Sequence, residues 1–193
     1  MKRNIIIEHP TIKKAGGGIV AWESLKKQID NHLIQEKQVF VTTLIDYYGL
    51  NGKLKFPKWD DALAIVERSN RMTFLEQSMK ELINDNWRFR FIPYIQLHEF
   101  EGLLFSELSV FNHQIAKNEF GNYNELIQTI NDYPNPELIN DGKETAPSKR
   151  LMRIINGYNK IVYGSLLAQE IGLERIRNKC PRFNNWLNLL ENI

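Results

Sequence analysis

Between Gln38 and Leu50 the chain reads QVFVTTLIDYYGL. Val39, Phe40, Val41, Leu44 and Ile45 form a run of β-branched and apolar residues closed by polar residues and Gly49. A short apolar run of this kind predicts a strand buried on both faces, the habit of parallel sheets. Asp46 falls where the run ends. In an open parallel α/β sheet ligands bind at the carboxyl ends of the strands, so a carboxylate there is a candidate site residue. The other reading is a cap on the loop or helix that follows.

Outward from this strand, the next elements are helices and one further strand. Ile19 to Leu33 has helical spacing through Val20, Leu25, Ile29 and Leu33. Downstream, Gly49, Gly52 and Pro57 punctuate a loop, and Asp60 and Asp61 are placed to cap a long helix reaching about Asn84. Leu63, Val66, Phe74, Leu75, Met79 and Leu82 are its expected buried face. Arg88 to Gln96, RFRFIPYIQ, reads as a second strand in which Pro93 argues for an edge or a bulge. Two strands separated by such a helix are expected to be parallel. At the amino end, Asn4 to Glu8 reads as a short strand ended by His9-Pro10. Lys13 to Gly18, KKAGGG, is a basic glycine loop without the Walker spacing.

The densest chemistry follows the second strand, in Gln96 to Glu107, QLHEFEGLLFSE. A parallel pairing brings His98, Glu99 and Glu101 to the same sheet edge as Asp46, with an apolar helix starting at about Glu101. Carboxylates suit hard cations, Mg²⁺ or Mn²⁺, and one or two suffice when phosphate and water complete the shell. A cation so held activates water and stabilises a displaced phosphodiester oxygen. Asp46 and Glu99 are the leading metal candidates, with Glu101 either assisting or favouring a helix N-terminus. His98 is an acid, base or ligand, or a hydrogen-bonded structural histidine. No serine sits in a G-x-S-x-G elbow, and the four histidines have no zinc spacing. The four tryptophans are scattered and read as packing anchors.

From Leu108 onward the pattern is helical, with helices expected at about 108–117, 122–132, 147–156, 159–171 and 182–191. The fold class is therefore α/β: a small, mostly parallel, Rossmann-like sheet flanked by helices over residues 1–107, with a helical carboxyl-terminal region over 108–193. The length of 193 residues and 42% hydrophobic content allow a sizeable core. No apolar run approaches the roughly 20 residues of a membrane span, so no membrane partner is expected. A single cysteine, Cys180, excludes an internal disulfide and suits a reducing cytoplasm; beside Pro181 it reads as a packed thiol. Net charge is +2, but Lys149 to Arg182 holds eight basic residues against Glu170 and Glu174, a local +6 that leaves −4 elsewhere. That asymmetry implies an anionic partner for the segment, or a set of solvated helix faces.

Five stretches in order, FVTTLIDYYGL, YIQLHEFEGLLFSE, APSKRL, YNKIVYGSLLAQEIGLERIR and CPRFNNWLNLLE, resemble a bacterial domain-of-unknown-function family with a Toprim-like fold. Its members are similar to the nuclease halves of ATPase-linked phage-defence systems. The resemblance runs from about Gly16 to Glu191. It implies a metal-dependent nuclease of a defence-type system, with nucleic acid and an ATPase subunit as partners, and a homo-oligomer as a further expectation. Asp46 falls at the family's acidic position after a strand, although Tyr48 replaces the second Asp of an Asp-x-Asp. Glu99 and Glu101 match its His-Glu-Phe-Glu, Lys149 and Arg150 its Pro-Ser-Lys-Arg, and Lys160 its Tyr-x-Lys. The three basic residues are expected to hold phosphate. Members usually open with a strand ending in Glu-Gly-x-Thr-Glu and a helix, ahead of anything like IIIEHP. Here the family's metal-binding glutamate is expected to be missing, through a longer natural chain, an impaired product, or a strand given by another chain. The resemblance gives that glutamate the role of metal ligand or base, so its absence weakens the expectation of catalysis more than that of binding, and a non-catalytic regulatory subunit is the alternative.

Overall fold

The computed structural model describes residues 20–139, 142 and 144–193. The expected strand at Asn4 to Glu8 and the loop Lys13 to Gly18 lie outside the described residues.

Helix α1 (Trp22–Gln35) buries Trp22, Leu25, Ile29 and Leu33, whose three- and four-residue spacing puts them on one face. The QVFVTTLIDYYGL stretch then forms two short strands, β1 (Val41–Thr42) and β2 (Ile45–Asp46). Helices α2 (Trp59–Leu63) and α3 (Arg68–Glu81) follow. The chain returns as β3 (Phe91–Ile92) and β4 (Ile95–Gln96). As expected the pairing is parallel: Val41 faces Phe91, Thr42 faces Ile92, Ile45 faces Ile95 and Asp46 faces Gln96.

The two ladders are one strand pair torn in the middle. Pro93 has no N–H to give a partner, so the hydrogen bonding cannot run through it. The Thr43 hydroxyl bridges the tear, accepting from the Tyr94 amide at 3.0 Å and lying 3.1 Å from the Tyr94 carbonyl as its donor. The Ile45 amide donates to the same carbonyl at 3.3 Å.

Several expectations are corrected here. The first strand is not buried on both faces: Thr43 and Ile45 are covered, whereas Phe40 is 38% and Leu44 47% exposed. Its burial alternates as on a half-covered surface, while Phe91, Tyr94, Ile95 and Gln96 are all buried. The helix expected over 60–84 is two helices. Lys58 caps α2 in a left-handed conformation, with Asp60 and Asp61 inside the first turn. Glu67 then caps α3 by accepting from the Ser69 and Asn70 amides. Leu63 and Val66, at the break, and Leu82, at the end of α3, are exposed, and Met72 lies in the core. Arg88–Arg90 is a 3₁₀ turn, not strand. From it the Arg90 guanidinium donates to the carbonyls of Leu33 and Glu36 at 2.7 Å, closing the carboxyl end of α1.

After β4 a 3₁₀ run, Phe100–Ser106, stands where an apolar helix was expected. Gly102 lies in it because a Cβ would come within 3.1 Å of the Pro136 carbonyl. Helices α4 (Leu108–Gln114), α5 (Tyr123–Asp132), α6 (Pro147–Ile154) and α8 (Pro181–Glu191) lie near their expected places, whereas the helix expected at 159–171 runs later, as α7 (Ser165–Lys179). A π-helical turn, Lys160–Gly164, leads into α7, and Gly172 kinks that helix at φ 74°. Trp22, Leu33, Met72, Phe91 and Leu97 belong to one apolar cluster, and Tyr94, Leu104, Phe111, Leu151, Leu167 and Phe183 to a second. No helix among the described residues is long and apolar enough to cross a membrane.

Helix α8 is anchored by buried Glu137, which accepts from the Arg182 amide at 2.9 Å and the Phe183 amide at 3.1 Å. The Arg182 guanidinium reaches back to Glu76 at 2.6 Å. Trp186 stacks on Tyr94 with ring centroids 4.7 Å apart and donates to the Thr42 hydroxyl at 2.8 Å.

Candidate functional site

Asp46 is the last residue of β2, and the strand pairing carries it beside the 3₁₀ run that leaves β4. Its Oδ1 accepts from the Phe100 amide at 2.9 Å. The capping reading of Asp46 is therefore observed, with the cap given across to another segment. One carboxylate oxygen remains for other work. Burial, opposed by that hydrogen bond and reinforced by the negative charges of Glu101 and Glu99, raises the Asp46 pKa from 3.8 to about 6.

Glu99 and Glu101 point to different partners. Glu99 accepts from the Ser148 amide at 2.9 Å on one oxygen and from the Ser148 hydroxyl at 3.0 Å on the other. Ser148 is the second residue of α6, so Glu99 caps that helix from outside. Glu101 is 2% exposed. Its Oε1 meets the Lys160 ammonium at 2.7 Å, while its Oε2 is buried with no hydrogen-bond partner among the described residues.

Lys160 opens the π-helical turn, which Asn159 holds by accepting from the Ile161 and Val162 amides. Its side chain is 63% exposed, reaching in from the rim. Burial pulls its pKa down, but the hydrogen bond to Glu101 and the charges of Glu101, Asp46 and Glu99 outweigh this, so the ammonium is held more firmly than usual. Tyr158, two residues earlier, has a buried hydroxyl with no partner among the described residues. Burial first, then the charges of Glu101 and Glu99, raises its pKa, so the phenol is a neutral donor.

The remaining expected residues stand apart. Lys149 is exposed on the first turn of α6, next to Ser148. Arg150 is not brought to the cluster: its guanidinium donates to the Thr145 carbonyl at 2.9 Å and the Thr129 hydroxyl at 3.1 Å, and it lies over the Tyr133 ring. These contacts join α5 to α6. The buried His98 ring faces the Arg68 guanidinium at 3.2 Å. Much of the basic segment is likewise engaged inside the chain, Arg153 with Glu125, Arg177 with Glu191 and Arg182 with Glu76.

Among the described residues no group of three or more His, Cys, Asp or Glu side chains is placed to hold a metal ion. A pair is a different matter, because Mg²⁺ takes one or two protein carboxylates and completes its shell with water and phosphate. Asp46, whose charge is suppressed by burial and by its neighbours, and Glu101, with an unpartnered buried oxygen, fit that requirement. Glu99 fits it less well, since Ser148 occupies both of its oxygens.

Sequence reasoning missed Ser148 and Tyr158. Both lie inside stretches it singled out, APSKRL and YNKIVYGS. A residue just after a helix-opening proline has an amide in need of an acceptor, which was the readable signal for Ser148.

No curated protein and no solved structure matches this chain. The model of the family described as Domain of unknown function (DUF4276) matches residues 1–191. With that match spanning all but the last two residues, the chain belongs to the DUF4276 family.

Proposed function

We propose that the cluster around Asp46 is the centre of a Mg²⁺- or Mn²⁺-dependent nuclease that hydrolyses phosphodiester bonds. The observation that carries this reading is the unpartnered Oε2 of Glu101 beside a carboxylate, Asp46, that burial and like charges keep from ionising in its ordinary range. Two desolvated carboxylates with one lysine, paired to Glu101, are under-compensated, and a divalent cation is the group that would balance them. Asp46 and Glu101 would hold it. The cation, when bound, polarises a phosphoryl oxygen and lowers the pKa of water. Lys160, mostly exposed, moves its ammonium from Glu101 to the phosphate backbone, and Lys149 adds a second contact. Glu99 fixes α6, whose first turn carries the exposed Lys149, and Arg150 ties that helix to α5. The wider setting, a Toprim-like enzyme of a cytoplasmic phage-defence system with an ATPase partner, rests on the motif resemblance, with the parallel strands and the acidic residue at their carboxyl end in support.

The test is cleavage of single- and double-stranded DNA and of RNA with Mn²⁺, by the wild type, Asp46→Asn and Glu101→Gln. Loss of one metal-holding carboxylate lowers cleavage by roughly 100-fold or more, on the scale of removing one electrostatic stabiliser. Cleavage undiminished in Asp46→Asn overturns the assignment.

A second reading, a non-catalytic subunit that binds an ATPase or nucleic acid, is favoured by Ile161 and Val162. These are 80% and 61% exposed on the same turn that carries Lys160. Calorimetric titration separates the two: Mn²⁺ binding abolished by Asp46→Asn belongs to the enzyme, and no metal binding belongs to the subunit.

A further inference from the structure

Tyr158 carries a hydroxyl that makes no hydrogen bond among the described residues. Its hydroxyl is buried and unpartnered, a state that costs stability because the lost hydrogen bond to water is not replaced. Its ring is well held, stacked on Tyr163 with centroids 6.1 Å apart and packed against the apolar cluster that contains Leu104 and Leu167. The hydroxyl is also placed with respect to the carboxylates. A Cβ at Gly164 would lie 3.4 Å from the Tyr158 hydroxyl and 3.9 Å from Cγ of Lys160, so hydroxyl and lysine stem flank the same bare patch of backbone. The far end of that lysine meets Glu101, whose other oxygen is the second buried polar atom without a partner. Gly164 has ordinary helical torsions (φ −63°, ψ −43°), so its backbone does not require glycine. What the glycine leaves there is space beside the hydroxyl. An acceptor and a donor, both desolvated and both unmet among the described residues, therefore lie near one lysine, the acceptor at its ammonium end and the donor near its stem.

We propose that the Tyr158 hydroxyl is a substrate contact, donating a hydrogen bond to a non-bridging oxygen of the phosphate held at the Asp46–Glu101 cluster. The proposal rests on the phosphodiesterase reading and adds a residue to it. A phosphate oxygen is the complementary group on chemical grounds: it is an anionic acceptor and suits a neutral donor near a lysine. The phenol does no covalent chemistry here, and no proton leaves it.

The test compares wild type, Tyr158→Phe and Asp46→Asn by calorimetry, with thymidine 3′,5′-bisphosphate as probe in Ca²⁺, a Mn²⁺ titration alongside, and a melting temperature for each protein. The expected result is a tenfold or greater loss of bisphosphate affinity in Tyr158→Phe, with Mn²⁺ affinity unchanged and a melting temperature equal to or above that of the wild type. The melting result separates a substrate contact from a structural hydroxyl, whose removal lowers it. Equal bisphosphate affinity in wild type and Tyr158→Phe, with Mn²⁺ still bound, overturns the contact and leaves the enzyme reading standing. A lowered melting temperature in Tyr158→Phe also overturns it. If the wild type binds neither Mn²⁺ nor the bisphosphate, both the contact and the reading beneath it fall.

Discussion

Replacing Asp46 by Asn is the most informative perturbation of stability. Asn is nearly isosteric and its carbonyl oxygen can still accept from the Phe100 amide, now at 2.9 Å from Oδ1, so the cap survives and only the charge is lost. In the native state the Asp46 pKa is raised from 3.8 to about 6, chiefly by burial. The folded protein therefore binds the Asp46 proton more tightly than the unfolded chain. The stability this contributes is complete below about pH 4, falls as pH rises, and is gone above about pH 6. A shift of roughly 2 pKa units at about 1.4 kcal/mol each makes ionised Asp46 about 3 kcal/mol less favourable in the fold than in the open chain. The neutral amide of the variant has no such cost. Urea denaturation at about pH 8 and about pH 4 checks this. Relaxation around Lys160 reduces the gain, so Asp46→Asn is expected to be more stable by about 1–3 kcal/mol at the higher pH and equal to wild type at the lower. Glu76, raised to about 6 as well, titrates in both proteins and cancels in the difference. An Asp46→Asn protein less stable than wild type at pH 8, or a gap that does not change with pH, would refute the picture of an under-compensated carboxylate.

Three other outcomes follow from the same geometry. Glu99→Ala removes the acceptor of both the Ser148 amide and hydroxyl, and the lost cap on α6 lowers unfolding free energy by about 1–2 kcal/mol in urea titration. Arg182→Met leaves Glu76 buried without its guanidinium partner; a drop of roughly 3 kcal/mol is expected, larger at pH 8 than at pH 5, where Glu76 protonates. Cys180 is fully buried with its pKa pushed up to about 12, so a thiol-reactive dye labels it only when the protein is unfolded, and rapid labelling of the native chain would contradict the packing.

The parallel pairing and the meeting of Asp46 with the His98–Glu101 segment were legible because both rest on strong local signals: two apolar runs, a helical spacer between them, and acids just past each run. The helices after Leu108 were legible for the same reason. What sequence could not reveal were the long-range polar replacements for missing local bonds. Pro93 announced an interruption, but not that Thr43, opposite it, would supply the bridging hydroxyl. Periodicity over 60–84 was read as one helix because Glu67, the acceptor that restarts the helix after a break, is as ordinary on a helix surface as at a cap. Arg150 and Arg182 looked like free cations; Arg150 joins the neighbouring helices α5 and α6, and Arg182 reaches from α8 back to α3.

The site shows the same division more sharply. Residue type and spacing placed three carboxylates at one end of a strand pair, and all three are there. Type and spacing do not say which oxygens are taken. That is decided by segments roughly fifty to sixty residues away: Ser148 takes both oxygens of Glu99, Lys160 takes one of Glu101, and Phe100 takes one of Asp46. The ordering inferred from sequence, Asp46 and Glu99 ahead of Glu101, changes once this is counted. Chemistry in a desolvated site belongs to the groups that folding leaves unsatisfied, because satisfied ones must break a bond before they bind anything. By that criterion the free capacity of the cluster lies on the second oxygen of Asp46, on Oε2 of Glu101 and on the Tyr158 hydroxyl, with the rim-exposed Lys160 among them.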